Sequence, residues 1–494
     1  MSEIFNQNWN RERVRAGMRW FGREDEVSIR NIQQTPGVTN IITALHHIPA
    51  GEIWTENEVA TRKIEVEFLP HPEAPAELEG MKRFQWYTIN GERTGLVWDT
   101  AESLVFTEDI KNGSPNREEH IQNYKTSLQN LGRFGVKNVV GNFMLVADWT
   151  RTSITTLPDG SKTLKYIHSA FAAFDLYLLK RHDNEQAYID DGSFTKAEVA
   201  EARKYWDAYL ANSPERQAEL IAMITAGLPG AQEGFTLDDF RAAVAKYEGM
   251  SVEVLQEHIA YFLDAVVPVA NAAGVRLCCH ADDPAFTPFL GTPRAVGGSD
   301  GYKFLLDHGC GVNMCIGSLM ANESNRDITT VIREIAEYGR MKGMGMEEIF
   351  PHIHLRPIET DGKNFREGHH AEHREELAKV VHTLVDLGWQ GVFRPDHAPA
   401  SDHGFGRPGY DVIGRGYGAQ LLLGLFEMAE IVKATRAKTI EAAIRASNGD
   451  MHLRDEAIKA AGKAEAKQIG KKIAFIKVPF VYGEQGVMAS LTPS

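Results

Sequence analysis

Eight short runs of apolar and β-branched residues recur along the chain, each bounded by glycine, proline or polar residues. They are AGMRWFG (16–22), VTNIITAL (38–45), GLVWDTA (95–101), VKNVVGNFM (136–144), GVRLCCH (274–280), GVNMCIG (311–317), EIFPHIHL (348–355) and GVFRP (391–395). Between them the apolar positions change to helical spacing. Ile121, Tyr124, Leu128 and Leu131 mark one helix; Leu255, Ile259, Phe262, Val266 and Val269 mark another, despite Pro268 within it. Segments 326–341, 371–387 and 416–434 supply three more. Near-continuous apolar strands alternating with helices predict a parallel sheet covered on both faces. Eight such repeats predict a closed (β/α)8 barrel, an α/β fold, rather than an open sheet.

Three segments exceed that plan. Residues 69–94 are proline-rich and interrupt the approach to the third strand. Residues 145–250 follow the C-terminal end of the fourth strand and contain helical stretches such as HSAFAAFDLYLLKR. An insertion at that end of a barrel strand lies over the catalytic face, as a lid does. Residues 435–494 continue past the last helix, so the expected organisation is a barrel domain over 1–434 and a C-terminal extension that packs on the barrel or on a neighbouring subunit.

Composition narrows the partners. A net charge of −14 argues against nucleic acid and anionic membrane surfaces, which reward basic proteins. No apolar run approaches the ~18 residues of a spanning helix, and the first twenty residues lack the apolar core of a signal peptide. The four cysteines, Cys278, Cys279, Cys310 and Cys315, share one stretch without the spacing of a disulfide framework. A reducing, cytoplasmic setting and a small-molecule substrate are therefore expected. The lid and the tail suggest a homo-oligomer, with a homodimer as the expectation.

Chemistry enters at the strand ends. The last four runs deliver His280, Cys315, His354 and Asp396, at separations of 35, 39 and 42 residues. One βα unit of a ~250-residue barrel takes about 31 residues, so each step is one slightly padded unit. Singly, these residues have ordinary roles: a strand-end cap, a buried thiol, a hydrogen-bonded core histidine, a turn cap. Jointly, four ligand-type side chains from consecutive strands converge on one mouth, and they read as a site for a divalent transition metal. His397 follows Asp396 directly, and Tyr410 lies on the eighth βα loop; both are acid–base candidates. Arg356 flanks a ligand and its fork suits a carboxylate. His46 and His47 end the second strand, and one of them is expected to line the pocket. His369 and His373 lie one turn apart but lack an accompanying HExxH pattern, and GRGYG (414–418) does not directly follow a strand as a dinucleotide loop does.

These residues sit in motifs that resemble the mannonate dehydratase family: RWFG, TALHHIPAGEIW, GLVWDTAES, NFM, DWTRT, LPDGSK, AGLPGAQEGFTLDDFR, HADDP, MCIGS, HLRP, FRPDH and PGYDVIGR, in order over most of residues 18–430. The resemblance implies a metal-dependent barrel lyase that removes water across C2 and C3 of D-mannonate. The resulting enol tautomerises to 2-keto-3-deoxy-D-gluconate. It places the metal, Mn2+ or Fe2+, on His280, Cys315, His354 and Asp396, and the acid–base pair on His397 and Tyr410. His47, Asn142 of the NFM segment and Arg356 are the expected substrate contacts. Ala281 in HADDP and the segment APASDHGFG after FRPDH depart from the family pattern and touch loops that set substrate choice. A metal-dependent sugar isomerase on the same fold, and a barrel without catalysis, are the competing expectations.

Overall fold

The computed structural model of the chain describes residues 14–446, except Asp148, 226–235 and 323–325. Its eight apolar runs form the strands β1 (Arg15–Arg19), β2 (Val38–Thr43), β3 (Val97–Glu102), β4 (Asn138–Asn142), β7 (Arg276–His280), β8 (Gly311–Cys315), β9 (His352–His354) and β12 (Val392–Arg394). They close in the order β1-β12-β9-β8-β7-β4-β3-β2, with every neighbouring pair parallel. The expected barrel is the observed one. β8 is buried along its whole length, as a strand covered on both faces must be.

The outer layer follows from the helical spacing. The helix Val252–Ala272 starts at Ser251, whose side chain accepts from the Val254 amide, and buries Leu255, Ile259, Phe262, Leu263 and Val266. Pro268 is accommodated inside it. The helix Arg374–Leu387 stops at Gly388, which takes the left-handed conformation (φ 81°) that only glycine adopts without strain. The proline-rich 69–94 segment contributes a helix, Gly80–Asn90, whose Phe84 meets Phe68 and Phe134 edge-on. GRGYG lies within the long helix Val412–Ala446, so it is no phosphate loop.

The lid departs from the helical expectation. It opens with an antiparallel hairpin, β5 (Ser153–Thr156) and β6 (Lys162–Tyr166), before its helices begin at His168. A second hairpin, β10 (Ile358–Asp361) and β11 (Asn364–Glu367), rises from the loop after β9. The two join through β6 and β11 into a four-stranded sheet, β10-β11-β6-β5. Turn chemistry explains both hairpins: Pro158-Asp159-Gly160 closes the first, and Gly362 (φ 58°) with Lys363 closes the second.

The chain divides into two compact units, Met1–Phe426 and Glu427–Ser494. The described part of the second is the continuation of the last helix to Ala446; the rest of the expected extension lies outside the described residues. Among the described residues no helix is long and apolar enough to cross a membrane.

Candidate active site

Parallel register carries the ligand candidates to one level. His280 of β7 is in register with Asn142 of β4 on one side and Asn313 of β8 on the other. Cys315 stands opposite His354, which stands opposite Arg394. As a result, ligand atoms of His280, Cys315 and His354 lie within 4.8 Å of one another. Two ligands about 2.0–2.3 Å from a shared ion are themselves roughly 3–4 Å apart, so the spacing suits one metal. Asp396 Oδ2 is 3.8 Å from His354 Nδ1. Asp396 itself adopts φ 58°, a conformation that acidic side chains tolerate better than most, as the chain leaves β12.

The donor chemistry fits a transition metal. His280 Nδ1–H donates to the Ala281 carbonyl at 2.6 Å, which leaves Nε2 as the ligand nitrogen. His354 Nε2 lies 3.1 Å from the Asn313 amide, whose Oδ1 otherwise has no partner among the described residues. Turning that amide over lets His354 Nε2–H donate to Oδ1 and leaves Nδ1, 3.5 Å from Arg394 Nη2, as the ring's acceptor nitrogen. Burial would raise the Cys315 thiol, but the Arg356 charge and the His280 hydrogen bond bring it down to about 7. Burial and the Arg394 charge keep His354 neutral, well below its ordinary value. Against burial, the Cys315 hydrogen bond and charge in turn raise His280 to about 9, so these two share a proton that a bound cation would displace. With neutral His354 and the Asp396 carboxylate they make a mixed S, N and O donor set. A second cluster, Glu102, His352 and His354, lies alongside, but Glu102 is already paired with Arg19 at 2.8 Å and Arg394 at 3.0 Å.

Around the ligands, four guanidiniums alternate with four carboxylates. Arg19 and Arg394 hold Glu102; Arg394 (2.8 Å) and Arg356 (2.9 Å) hold Asp396. Arg356 also pairs with Asp283 and with Glu367 (3.2 Å), and Arg151 grips Asp283 (3.1 Å) and Glu367 (2.8 Å) in turn. Arg151 and Arg356 are 1% exposed, so each charge depends on its neighbours for the solvation that water would give. Although burial opposes ionisation, His397, Arg151 and Arg356 hold the Glu367 carboxyl down at about 2.

The acid–base candidates meet beside this array. His397 Nδ1 lies 2.7 Å from Glu367 Oε1 and its Nε2 lies 3.2 Å from the Tyr410 hydroxyl. An ionised Glu367 can only accept, so a neutral imidazole carries its proton on Nδ1 and takes the Tyr410 hydrogen bond at Nε2. Burial pushes Tyr410 up to about 12, so it is a neutral proton donor. Trp149 lies 5.1 Å from the His397 ring. A chamber of about 40 Å³ is lined by Asn142, His280, Arg356, Asp396, His397 and Tyr410, among others. Beyond it opens a mostly apolar chamber of about 780 Å³; Trp149 and Tyr410 line both.

His47 takes another course. After β2 the chain turns at Leu45–Ile48, and His47 points outward, with a side chain 55% exposed and paired to Glu58 at 2.9 Å. It lines neither chamber. His46 lies 5.7 Å from Phe21 and also lines neither. In the GHHAEH segment, His369 pairs with Asp159 at 3.0 Å, and buried His370 Nε2 faces the Leu355 and Pro395 carbonyls at 2.8 and 2.7 Å. His370 thus ties together the loops that follow His354 and precede Asp396. Sequence reasoning passed over Glu102, Trp149, Arg151, Asp283 and Glu367. Adjacency to a ligand (HADDP) signals Asp283; the DG turn before NFRE signals the strand that carries Glu367.

Comparison with known proteins agrees with this architecture. The family model described as D-mannonate dehydratase (UxuA) matches residues 14–71 and 70–436. A mannonate dehydratase of Marinomonas sp. (strain MWYL1) is 34% identical over 426 residues, covering 82% of this chain and 97% of the relative. One from Chromohalobacter salexigens is 36% identical over 438 residues, covering 85% and 99%. The crystal structure of mannonate dehydratase from Streptococcus suis serotype 2 superposes with a TM-score of 0.61 at 26% identity, covering 85% of this chain and 95% of that one.

Proposed function

The chain belongs to the D-mannonate dehydratase family, and from that premise we propose that it converts D-mannonate to 2-keto-3-deoxy-D-gluconate with His397 as base and Tyr410 as acid. The observation that carries the role assignment is the contact of His397 with the ionised Glu367 on one side and the Tyr410 hydroxyl on the other. It leaves His397 with its lone pair on Nε2, the state required to take the C2 proton. Tyr410, protonated and in contact with that nitrogen, gives its proton to the departing 3-hydroxyl. The proton gained by His397 then returns to the tyrosinate across the same contact, which resets the pair.

His280, Cys315, His354 and Asp396 would hold a divalent ion, Mn2+ or Fe2+, which when bound would supply positive charge to offset the negative charge that develops at the substrate carboxylate and C2. Arg356 and Arg394 both flank the ligand candidates, and their contacts with Asp396 orient that carboxylate. Asn142 lines the chamber beside His280 and contacts substrate hydroxyls. The test is incubation of Mn2+- or Fe2+-loaded protein with D-mannonate and its epimers, read by an assay for 2-keto-3-deoxy acids. Product from none of these substrates, with metal shown to be bound, sinks the reading.

A further inference from the structure

Glu367 is on β11, in the four-stranded sheet rather than on the barrel, and it does not line the reaction chamber. Its Oε1 accepts from His397 Nδ1 at 2.7 Å, Arg151 Nη2 at 2.8 Å, Arg151 Nε at 3.2 Å and Arg356 Nη1 at 3.2 Å. Its Oε2 is buried and has no hydrogen-bond partner among the described residues. A carboxylate that only balanced two guanidiniums spreads both oxygens over them. Asp283 does this, meeting Arg151 Nη1 with Oδ1 and Nη2 with Oδ2. Glu367 instead concentrates four donors on the one oxygen that faces His397. An ionised acceptor at that point admits only the Nδ1–H tautomer of a neutral imidazole. Tyr410 on Nε2 and Trp149 at 5.1 Å from the ring flank the histidine on its other sides.

We propose that Glu367 is a positioning residue that fixes the tautomer and ring orientation of His397, so that the β10–β11 hairpin is part of the reaction apparatus. The kinetic part of its test rests on the proposed dehydration; the structural part does not. The two guanidiniums also set what a conservative variant does. In Glu367→Gln they hold the amide oxygen at the Oε1 position, still facing Nδ1–H, whereas Glu367→Ala removes the acceptor.

The experiment uses the full chain labelled with 15N-histidine and loaded with Zn2+ as a diamagnetic probe, with His397 resonances identified through His397→Asn. The native protein and Glu367→Gln should show a protonated Nδ1 and an unprotonated Nε2, and Glu367→Ala should show mixed or reversed tautomers. With Mn2+ and D-mannonate, Glu367→Gln should keep kcat within about tenfold. Glu367→Ala should lose about 10²–10⁴ in kcat, with KM and metal content within twofold of native. A native tautomer protonated on Nε2, or an Ala variant with unchanged tautomer and native kcat, overturns the proposal. So does an Ala variant whose loss lies in KM or metal content. A native protein inactive on D-mannonate that still shows the tautomer dependence counts against the dehydration reading and supports the positioning role.

Discussion

Tyr410→Phe separates the two proton-transfer roles with little disturbance of the fold. The substitution removes one hydroxyl and its 3.2 Å hydrogen bond to His397. The ring keeps its edge-on contacts with Phe21 at 4.9 Å and His397 at 5.0 Å. The stability cost is therefore that of one buried hydrogen bond, about 1 kcal/mol. The rate cost is that of a positioned general acid, about 10²–10⁴ in kcat. In D2O the variant should still exchange the C2 hydrogen of D-mannonate for deuterium, because His397 Nε2 can take the proton and return a deuteron. His397→Asn should abolish both exchange and product. Mass spectrometry of recovered substrate reads the exchange, and a keto-deoxy acid assay reads the product. Product formation by Tyr410→Phe within threefold of native refutes the acid role. Exchange retained in His397→Asn but lost in Tyr410→Phe reverses the assignment.

Three further outcomes follow from the same geometry. Cys315→Ala should lower Mn2+ affinity by at least about 100-fold, measured by equilibrium dialysis, since it removes a ligand rather than a residue behind one; unchanged metal content excludes Cys315 from the site. Arg356→Lys replaces a fork that reaches Asp283, Ser318, Glu367 and Asp396 with a point charge, and should destabilise the fold by about 3–5 kcal/mol in urea denaturation. Burial holds His370 down at about 4 despite the Pro395 and Leu355 carbonyls, against an ordinary value of 6.5. Below pH 6.5 the unfolded chain therefore takes up a proton that the folded one refuses. The His370 contribution to stability is full above pH 6.5 and falls by about 3 kcal/mol as pH drops to 4; His370→Gln should remove that share from the urea-midpoint profile.

The barrel and the convergence of the four ligand candidates were legible because both are repetitive. Strands buried on both faces are written as unbroken apolar runs, and one βα unit separates His280, Cys315, His354 and Asp396. Tyr410 and His397 were legible by adjacency and by loop position. Glu367 and Arg151 were not, because they are 216 residues apart and meet only through the pairing of two hairpins. That pairing has no periodicity of its own; only the PDG and DGK turns announce its halves. His47 was misplaced for a related reason. Strand alternation sets direction only while the strand lasts, and β2 ends at Thr43, before the turn that sends His47 outward.

Barrel enzymes ordinarily diversify one loop at a time, since each βα connection is an independent graft on a fixed frame. The shared sheet withdraws that freedom here. The connections after β4 and after β9 each hold half of one hydrogen-bonded structure, with Arg151 beside one half and Glu367 in the other. Replacing either connection alone strands an open sheet edge and a buried charge. The two are heritable only as a pair, so a change of substrate by loop exchange has to carry both across together.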